Sequence, residues 1–279
     1  MHSAPTSDLR QLIHRAASVI RTFTRKKPSA GIILGTGLGQ LANAVKKKIT
    51  IPYGDIPGFP QTTVETHAGE LIIGELGGKT VATLSGRFHY YEGYSMKEIT
   101  LPVRVLNALG AKTLVVSGAS GGMNPQYRQG DLVVIEDHIN LMGDNPLIGP
   151  NDERVGPRYP DMSEPYARAL VDLALEAALQ LKVRCHSGVY VGVSGPNLET
   201  RAEYRFLRTI GADVVGMSVV PEVLAAVHSG MRVLGMAAVT DMCLPDALQP
   251  ADINEIIKTA NEVEPKMSAI VKRVISKMR

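Results

Sequence analysis

The stretch Thr113-Leu114-Val115-Val116-Ser117-Gly118-Ala119-Ser120-Gly121-Gly122-Met123-Asn124-Pro125 decides how this chain is read. Thr113 to Val116 is a short apolar, β-rich run of the kind that forms a buried strand. It feeds three glycines and two serines. Three readings of that cluster stay open. It can be a tight turn after the strand. It can be a main chain whose exposed N–H groups and missing side chains admit an anion. It can also be a nucleophile elbow, because Gly118-Ala119-Ser120-Gly121-Gly122 spells G-x-S-x-G.

Upstream, Ser7 is placed to cap a helix with apolar positions Leu9, Leu12, Ile13, Ala16 and Ile20 at a period near 3.6 residues, and Lys27-Pro28-Ser29 ends it. Ala30 to Leu34 reads as a strand that delivers a second glycine-rich turn, Gly35-Thr36-Gly37-Leu38-Gly39. A dinucleotide fingerprint is incomplete there: the full G-x-G-x-x-G spacing is absent, and Asp55 lies in a turn-rich segment. Leu71 to Leu84 reads as a hairpin about Gly77-Gly78. Gly78-Lys79-Thr80 is not a P-loop, since the required upstream glycine is Ile73. After this strand comes Gly86-Arg87-Phe88-His89-Tyr90-Tyr91-Glu92-Gly93, dense in polar and aromatic groups. Ligands of α/β folds sit outside the carboxyl ends of strands, so Arg87 and His89 are candidate anion ligands.

Ser95 and Glu98 form a capping box for a helix to Gly110, with Pro102 expected to perturb its early part. Downstream, Asp131 to Ile135 reads as a strand and residues 137–158 as a long polar loop. A helix is expected from Ser163 to about Leu181, and a strand from His186 to Val193 that ends in Ser194-Gly195-Pro196-Asn197-Leu198-Glu199. Thr200 with Glu203 caps the next helix. Ala212 to Gly216 is a strand leading to Met217-Ser218, and Pro221 begins a helix that Gly230 closes. Arg232 to Val239 is the last strand, delivering Thr240-Asp241. Asp252 and Glu255 cap a final helix that Pro265 should kink or divide. Strands alternating with helices predict an α/β sandwich with a central mixed sheet flanked by helices. No repeat or linker breaks the pattern, so one domain is expected over 1–279, with residues 1–6 flexible.

Composition narrows the function. With 279 residues, 44% hydrophobic and 20% charged, the chain has the balance of a globular protein with a substantial core. The net charge of +3 is small, and Arg25-Lys26-Lys27 and Lys46-Lys47-Lys48 read as solvated faces. Without a basic stripe and interleaved aromatics, no nucleic-acid polymer is expected as partner. The 2 cysteines, Cys185 and Cys243, form no CxxC pair, and the 7 histidines are scattered without an H-E-x-x-H, so no metal site is expected. The beginning lacks the shape of a signal peptide and no run of about 18 apolar residues occurs. A cytoplasmic protein with no membrane contact is expected.

The serine-hydrolase reading needs a helix directly after Ser120 and a mobile histidine. Asn124 to Gly130 leaves little room for that helix before the next strand, and His228 falls inside a helix. An anion site draws on more of the chain. Arg87, His67, His89, hydroxyls of Thr36 and Ser218 and the Gly118–Gly122 amides supply the mixture of charged and backbone donors that phosphate requires. Glu199 and Asp241 supply carboxylates apart from that site, suited to donors on a neutral ring.

Taken together, Gly35–Gly39, Gly86–Gly93, Gly121-Gly122-Met123-Asn124-Pro125, Gly149-Pro150-Asn151-Asp152-Glu153-Arg154, Gly195-Pro196-Asn197-Leu198-Glu199-Thr200 and Gly216-Met217-Ser218-Val219-Val220-Pro221-Glu222 resemble the trimeric purine nucleoside phosphorylases, in order over residues 8–275. The resemblance implies reversible phosphorolysis of a purine nucleoside to free base and pentose 1-phosphate. It implies no metal or organic cofactor, inorganic phosphate being a co-substrate. Phosphate would be held by Thr36, His67, Arg87, His89, the backbone of Ala119, and Ser218. Tyr91 and Met217 would hold the sugar, and Glu199 and Asp241 the purine, with Asp241, His89 and Glu199 catalytic. Tyr159 would enter the neighbouring subunit's site in a homotrimer.

Three departures from the family pattern matter. Asp241 stands where the family usually has Asn. An ionised Asp accepts hydrogen bonds only, which suits a 6-amino group, whereas a bond to N7 requires its protonated form. Ile253 stands near the usual sugar-contacting His and would suit a 5′-methylthio substituent. Thr36 also resembles the related methylthioadenosine phosphorylases, the alternative enzyme reading, whereas Glu199 is typical of the nucleoside phosphorylases. Gly118 replaces a usual Asn. A non-catalytic nucleoside-binding protein is a third possibility.

Overall fold

The computed structural model describes residues 9–35, 39–61 and 68–278. Residues 1–6, Thr36 and His67 lie outside them. The glycine cluster is neither turn nor elbow. Strand β5 runs unbroken over Thr113–Gly122, paired in parallel along its whole length with β9 (Arg232–Met242), with a register shift between Ser120 and Gly121. The glycines serve close approach: a Cβ at Gly121 would meet Cys243 Sγ at 2.5 Å, and one at Gly122 would meet Val239 Cγ1 at 2.6 Å. An extended backbone without side chains lets neighbouring groups reach the strand.

On its other edge β5 is shared. Its first half pairs with β1 (Ala30–Leu34), from Thr113 to Val116. Its last two residues pair with β8 (Val214–Gly216). Neither strand pairs with Ser117 to Ser120, so the sheet splits there. Such a switch point leaves main-chain groups facing a crevice. From β1 the sheet continues through β4 (Lys79–Ser85) and β3 (Glu70–Leu76) to β2 (Lys46–Pro52). From β8 it passes through β7 (Cys185–Val193) and β6 (Leu132–Leu141) to β9, which returns to β5 and closes a small barrel. The mixed sheet agrees with the sequence reading; the closure is new. Strand β2 is a sheet edge, and its exposed Lys46, Lys47 and Lys48 discourage pairing with another chain.

The helices are α1 (Leu9–Phe23), α2 (Gln40–Ala44), α3 (Met96–Leu109), α4 (Arg168–Gln180), α5 (Arg201–Thr209), α6 (Val220–His228) and α7 (Ile253–Lys277). Gly31 abuts Leu106 of α3 so closely that a Cβ would lie 2.7 Å from its methyl, whereas Ile32 and Leu34 face Met267 and Val271 of α7. Alternation along a strand therefore places α3 and α7 on opposite faces of the sheet.

The capping boxes at Ser95–Glu98 and Thr200–Glu203 form as the sequence predicts. Other expectations require correction. Pro265 does not divide the last helix: α7 runs continuously through it, as α3 does through Pro102. Helix α4 begins at Arg168 and not at Ser163, and β6 extends to Leu141, which shortens the long loop. Asp252 caps α7 through the amide of Asn254 and makes no box with Glu255. Helix α2 has no local side-chain cap; buried Glu264 of α7 accepts from the amides of Gln40 and Leu41. Those donors would otherwise be unpaired at a helix start.

Candidate active site

The split in the sheet opens into a cleft of about 510 Å³ that reaches Gly118 to Gly121 of β5. Two groups of side chains meet the strand there. One touches Gly118, where a Cβ would lie 3.2 Å from Ser218 Oγ and 3.3 Å from Arg87 Nη1. The other touches Gly121 through Cys243 and Asp241. Three residue steps along the strand separate these points by about 10 Å.

Arg87 is delivered by the end of β4. The Tyr53 hydroxyl donates to Gly86 O (2.8 Å), and Phe88 packs on the Tyr53 and Tyr94 rings. Arg87 Nη1 donates to Ser218 Oγ at 2.6 Å, and its Nε lies 3.2 Å from Glu222 Oε1 of α6. Both side chains are buried, so this pair is sensitive to loss of either member. The Ser218 amide donates to the buried Tyr190 hydroxyl. Val219 then adopts φ 69° and ψ −58°, and the Val220 amide donates to Ser218 O at 2.8 Å. This is a γ-turn with a β-branched residue at positive φ, a strained form characteristic of functional sites. His89 is fixed by Glu92, whose Oε1 lies 3.0 Å from Nδ1 and accepts from the His89 amide at 2.7 Å. Tyr91 stacks on the His89 ring with centroids 4.7 Å apart. Arg87 and His89 thus each have a buried carboxylate beside them, which orients their donors and, for the guanidinium, offsets the cost of burying its charge.

At the other end, Glu199 sits just before the N-cap of α5. Burial pushes its carboxyl up; hydrogen bonds from its own backbone and Tyr204 oppose this, and Glu203 and Asp241 add to the rise. Asp241 Oδ1 accepts from Thr240 Oγ1 at 2.9 Å, and Oδ2 accepts from Cys243 Sγ at 3.1 Å. The Cys243 thiol is pushed up by burial and by Asp241. Tyr204 and Cys243 belong to a small apolar cluster with Met123, Val191 and Leu207 that backs this end of the cleft.

Arg87, His89, Tyr91, Ala119, Glu199, Met217, Ser218 and Asp241 therefore line one cleft. Ile253 does too, beside Ile256 and Ile257 of α7. Tyr159 does not: it stands on the surface, 86% exposed, with the Arg158 guanidinium 5.7 Å from its ring centre. Ser120 is 3% exposed, and its Oγ has no hydrogen-bond partner among the described residues. It lies on a strand and lacks the exposure and histidine a nucleophile needs. Among the described residues no cluster of three His, Cys, Asp or Glu side chains could hold a metal ion, and no helix is long and apolar enough to cross a membrane.

The sequence reading missed Glu92, Glu222, Tyr204 and Cys243 as site residues. Two carry a local signal: Glu92 is three residues after His89, and Cys243 is two after Asp241, hence on the same face of an extended segment. Glu222 and Tyr204 reach their partners through tertiary packing alone.

The loop that bears Tyr159 is tied to the body by His228, at the end of α6. Arg104 Nη1 lies 2.9 Å from His228 Nδ1, and His228 Nε2 lies 3.2 Å from Asn151 Oδ1. A neutral ring with its proton on Nε2 satisfies both partners. Burial and Arg104 lower the pKa of His228 from 6.5, while Glu153 and the Pro157 carbonyl oppose the shift. Below about pH 6.5 the unfolded chain takes up a proton that the folded one resists, so this residue makes stability fall with falling pH. We expect a Tm profile from pH 7.5 to 5 to drop less steeply for His228→Gln than for the wild type; parallel profiles would refute it.

The geometry agrees with what the chain is similar to. The phosphorylase superfamily model matches residues 29–276. Purine nucleoside phosphorylase 1 of Geobacillus stearothermophilus is 48% identical over 269 residues, covering 96% of this chain and 98% of that protein. The crystal structure of Schistosoma mansoni purine nucleoside phosphorylase in complex with adenosine superposes with a TM-score of 0.92 at 42% identity, over 96% of this chain and 98% of that one. A purine nucleoside phosphorylase in complex with ribose-1-phosphate gives a TM-score of 0.89 at 41% identity, over 99% of both chains. By sequence and fold alike, this chain belongs to the purine nucleoside phosphorylases of the phosphorylase superfamily.

Proposed function

We propose that the cleft binds a purine nucleoside and inorganic phosphate and exchanges base for phosphate at the anomeric carbon, releasing free purine and pentose 1-phosphate. The observation that carries this reading is the placement of Arg87 and Ser218 beside Gly118, about 10 Å along β5 from Asp241 beside Gly121, in one cleft that His89 and Glu199 also line. That spacing leaves room for a sugar ring between an anion and a base.

Cleaving the glycosidic bond builds positive charge on the sugar and negative charge on the departing base. Phosphate held by Arg87, His89, Ser218 and the Ala119 amide stabilises the first charge electrostatically, because fixed donors need no reorganisation. The base's developing charge is met by hydrogen bonding at N7, for which Asp241 must be protonated, while Glu199 accepts from the purine edge. Tyr91 and Met217 pack against the sugar. Thr36 and His67, beyond the described residues, complete the phosphate shell in this reading, and Tyr159 reaches the cleft of a neighbouring copy in a homotrimer. Phosphate is the only small-molecule partner needed besides the nucleoside, and the chemistry requires no metal or organic cofactor.

Asp241 in place of Asn favours a 6-amino over a 6-oxo purine, because the carboxyl oxygen that carries no proton accepts from the amino group and repels an oxo group. Incubation with inosine or adenosine, with and without phosphate, tests the reaction: free base and pentose 1-phosphate are expected only with phosphate. Base release as free pentose without phosphate, or no release at all, would overturn it.

A further inference from the structure

Against the Asp241 carboxyl at the base end lies a buried thiol that no part of the reaction above uses. Tyr204 and Cys243 share one small apolar cluster, and both line the cleft together with Glu199 and Asp241. The Cys243 thiol donates to Asp241 Oδ2 at 3.1 Å, while Thr240 donates to Oδ1 at 2.9 Å. Cys243 is 1% exposed, and the space its sulfur occupies exists because residue 121 is glycine: a Cβ there would lie 2.5 Å from Sγ. Strand, glycine and thiol together fix the sulfur against Asp241.

We propose that Cys243 is a positioning residue that sets discrimination at the purine 6-position: its thiol orients the Asp241 carboxyl. This rests on the reading of Asp241 as the group that meets the 6-substituent. Each carboxylate oxygen has two lone-pair directions. Thr240 and Cys243 take one on each oxygen, so the plane of the carboxyl is set; of the two directions left, one holds the proton for N7 and the other accepts from a 6-amino group. A base that needs a donor at that position meets an acceptor held in place. Without the thiol, the carboxyl loses one of its two restraints and one stabilising donor. It can then rotate, so its acceptor no longer opposes a 6-oxo base as firmly.

The effect is read as the ratio of kcat/KM for adenosine to that for inosine. Loss of one neutral hydrogen bond changes such a ratio by roughly three- to tenfold. Cys243→Ala, which removes the donor and cannot clash with Gly121, is expected to lower the ratio by that amount. Cys243→Val is expected to do the same, and Cys243→Ser, which keeps a donor, to stay within about twofold of the wild type. A merely structural role would lower both activities together and leave the ratio alone. The proposal is overturned if Cys243→Ala keeps the wild-type ratio, or if Cys243→Ser loses it as fully as Ala does; Tm measured beside the kinetics identifies any variant that has not folded. Failure of the underlying reading is distinguishable, because then Asp241→Asn would leave the ratio unmoved as well.

Discussion

Arg87→Ala is expected to reduce kcat/KM for phosphate by about 10²–10³-fold, the loss of two charge-assisted interactions worth roughly 1.5–3 kcal/mol each less what solvent recovers. Arg87 touches Ser218 Oγ and is backed by Glu222, with both ionic side chains buried. Two effects are superposed in this variant. The phosphate loses its guanidinium, and Glu222 is left as a buried carboxylate without its cation, a loss of about 3–5 kcal/mol in stability for pairs of this kind. The double variant Arg87→Ala/Glu222→Gln separates them. It should regain much of the lost Tm, since a neutral amide no longer demands a countercharge, and none of the lost kcat/KM. If the double variant recovers activity together with Tm, Arg87 is a folding residue and the phosphate site lies elsewhere.

Asp241→Asn is expected to lower the ratio of kcat/KM for adenosine to that for inosine by about a hundredfold. Two mismatches of roughly 1–3 kcal/mol exchange places in this variant. The carboxylate that accepts from a 6-amino group becomes an amide that can donate to a 6-oxo group and to N7. The Thr240 hydroxyl and Cys243 thiol that now donate to the two carboxylate oxygens would face one oxygen and one NH₂, so the amide has a preferred orientation as well. Parallel kinetics on both nucleosides check this. An unchanged ratio would remove Asp241 from the recognition of the 6-position.

Much of the site was legible because several of its residues belong to segments that punctuate strands. Arg87 and His89 follow an apolar run directly, Glu199 precedes a capping box at Thr200–Glu203, and Met217-Ser218 follows β8. These signals are local, and so survive translation from sequence to structure. Glu222 and Tyr204 are different. Each lies on a helix whose apolar neighbours dominate its pattern, and each matters only because another element brings a partner to it: Arg87 from the end of β4, and Cys243 from the end of β9. The cap of α2 is a further case, since its carboxylate comes from Glu264 more than two hundred residues away in sequence.

By itself the sequence determined the alternation of strands and helices, the mixed sheet, the capping boxes and the list of polar groups at strand ends, because period, capping and turn chemistry act over a few residues. The glycines of Gly118–Gly122 could be read locally in three ways, and the tertiary structure decided against turn and elbow. With β9 paired along one edge and β1 and β8 dividing the other, the segment is held extended as β5. Its glycines then act by what they lack, admitting Arg87 and Ser218 at one point and Cys243 at another. Pairing of strands distant in sequence outweighed glycine's local preference for turning, and that pairing is what sets the two ends of the cleft apart.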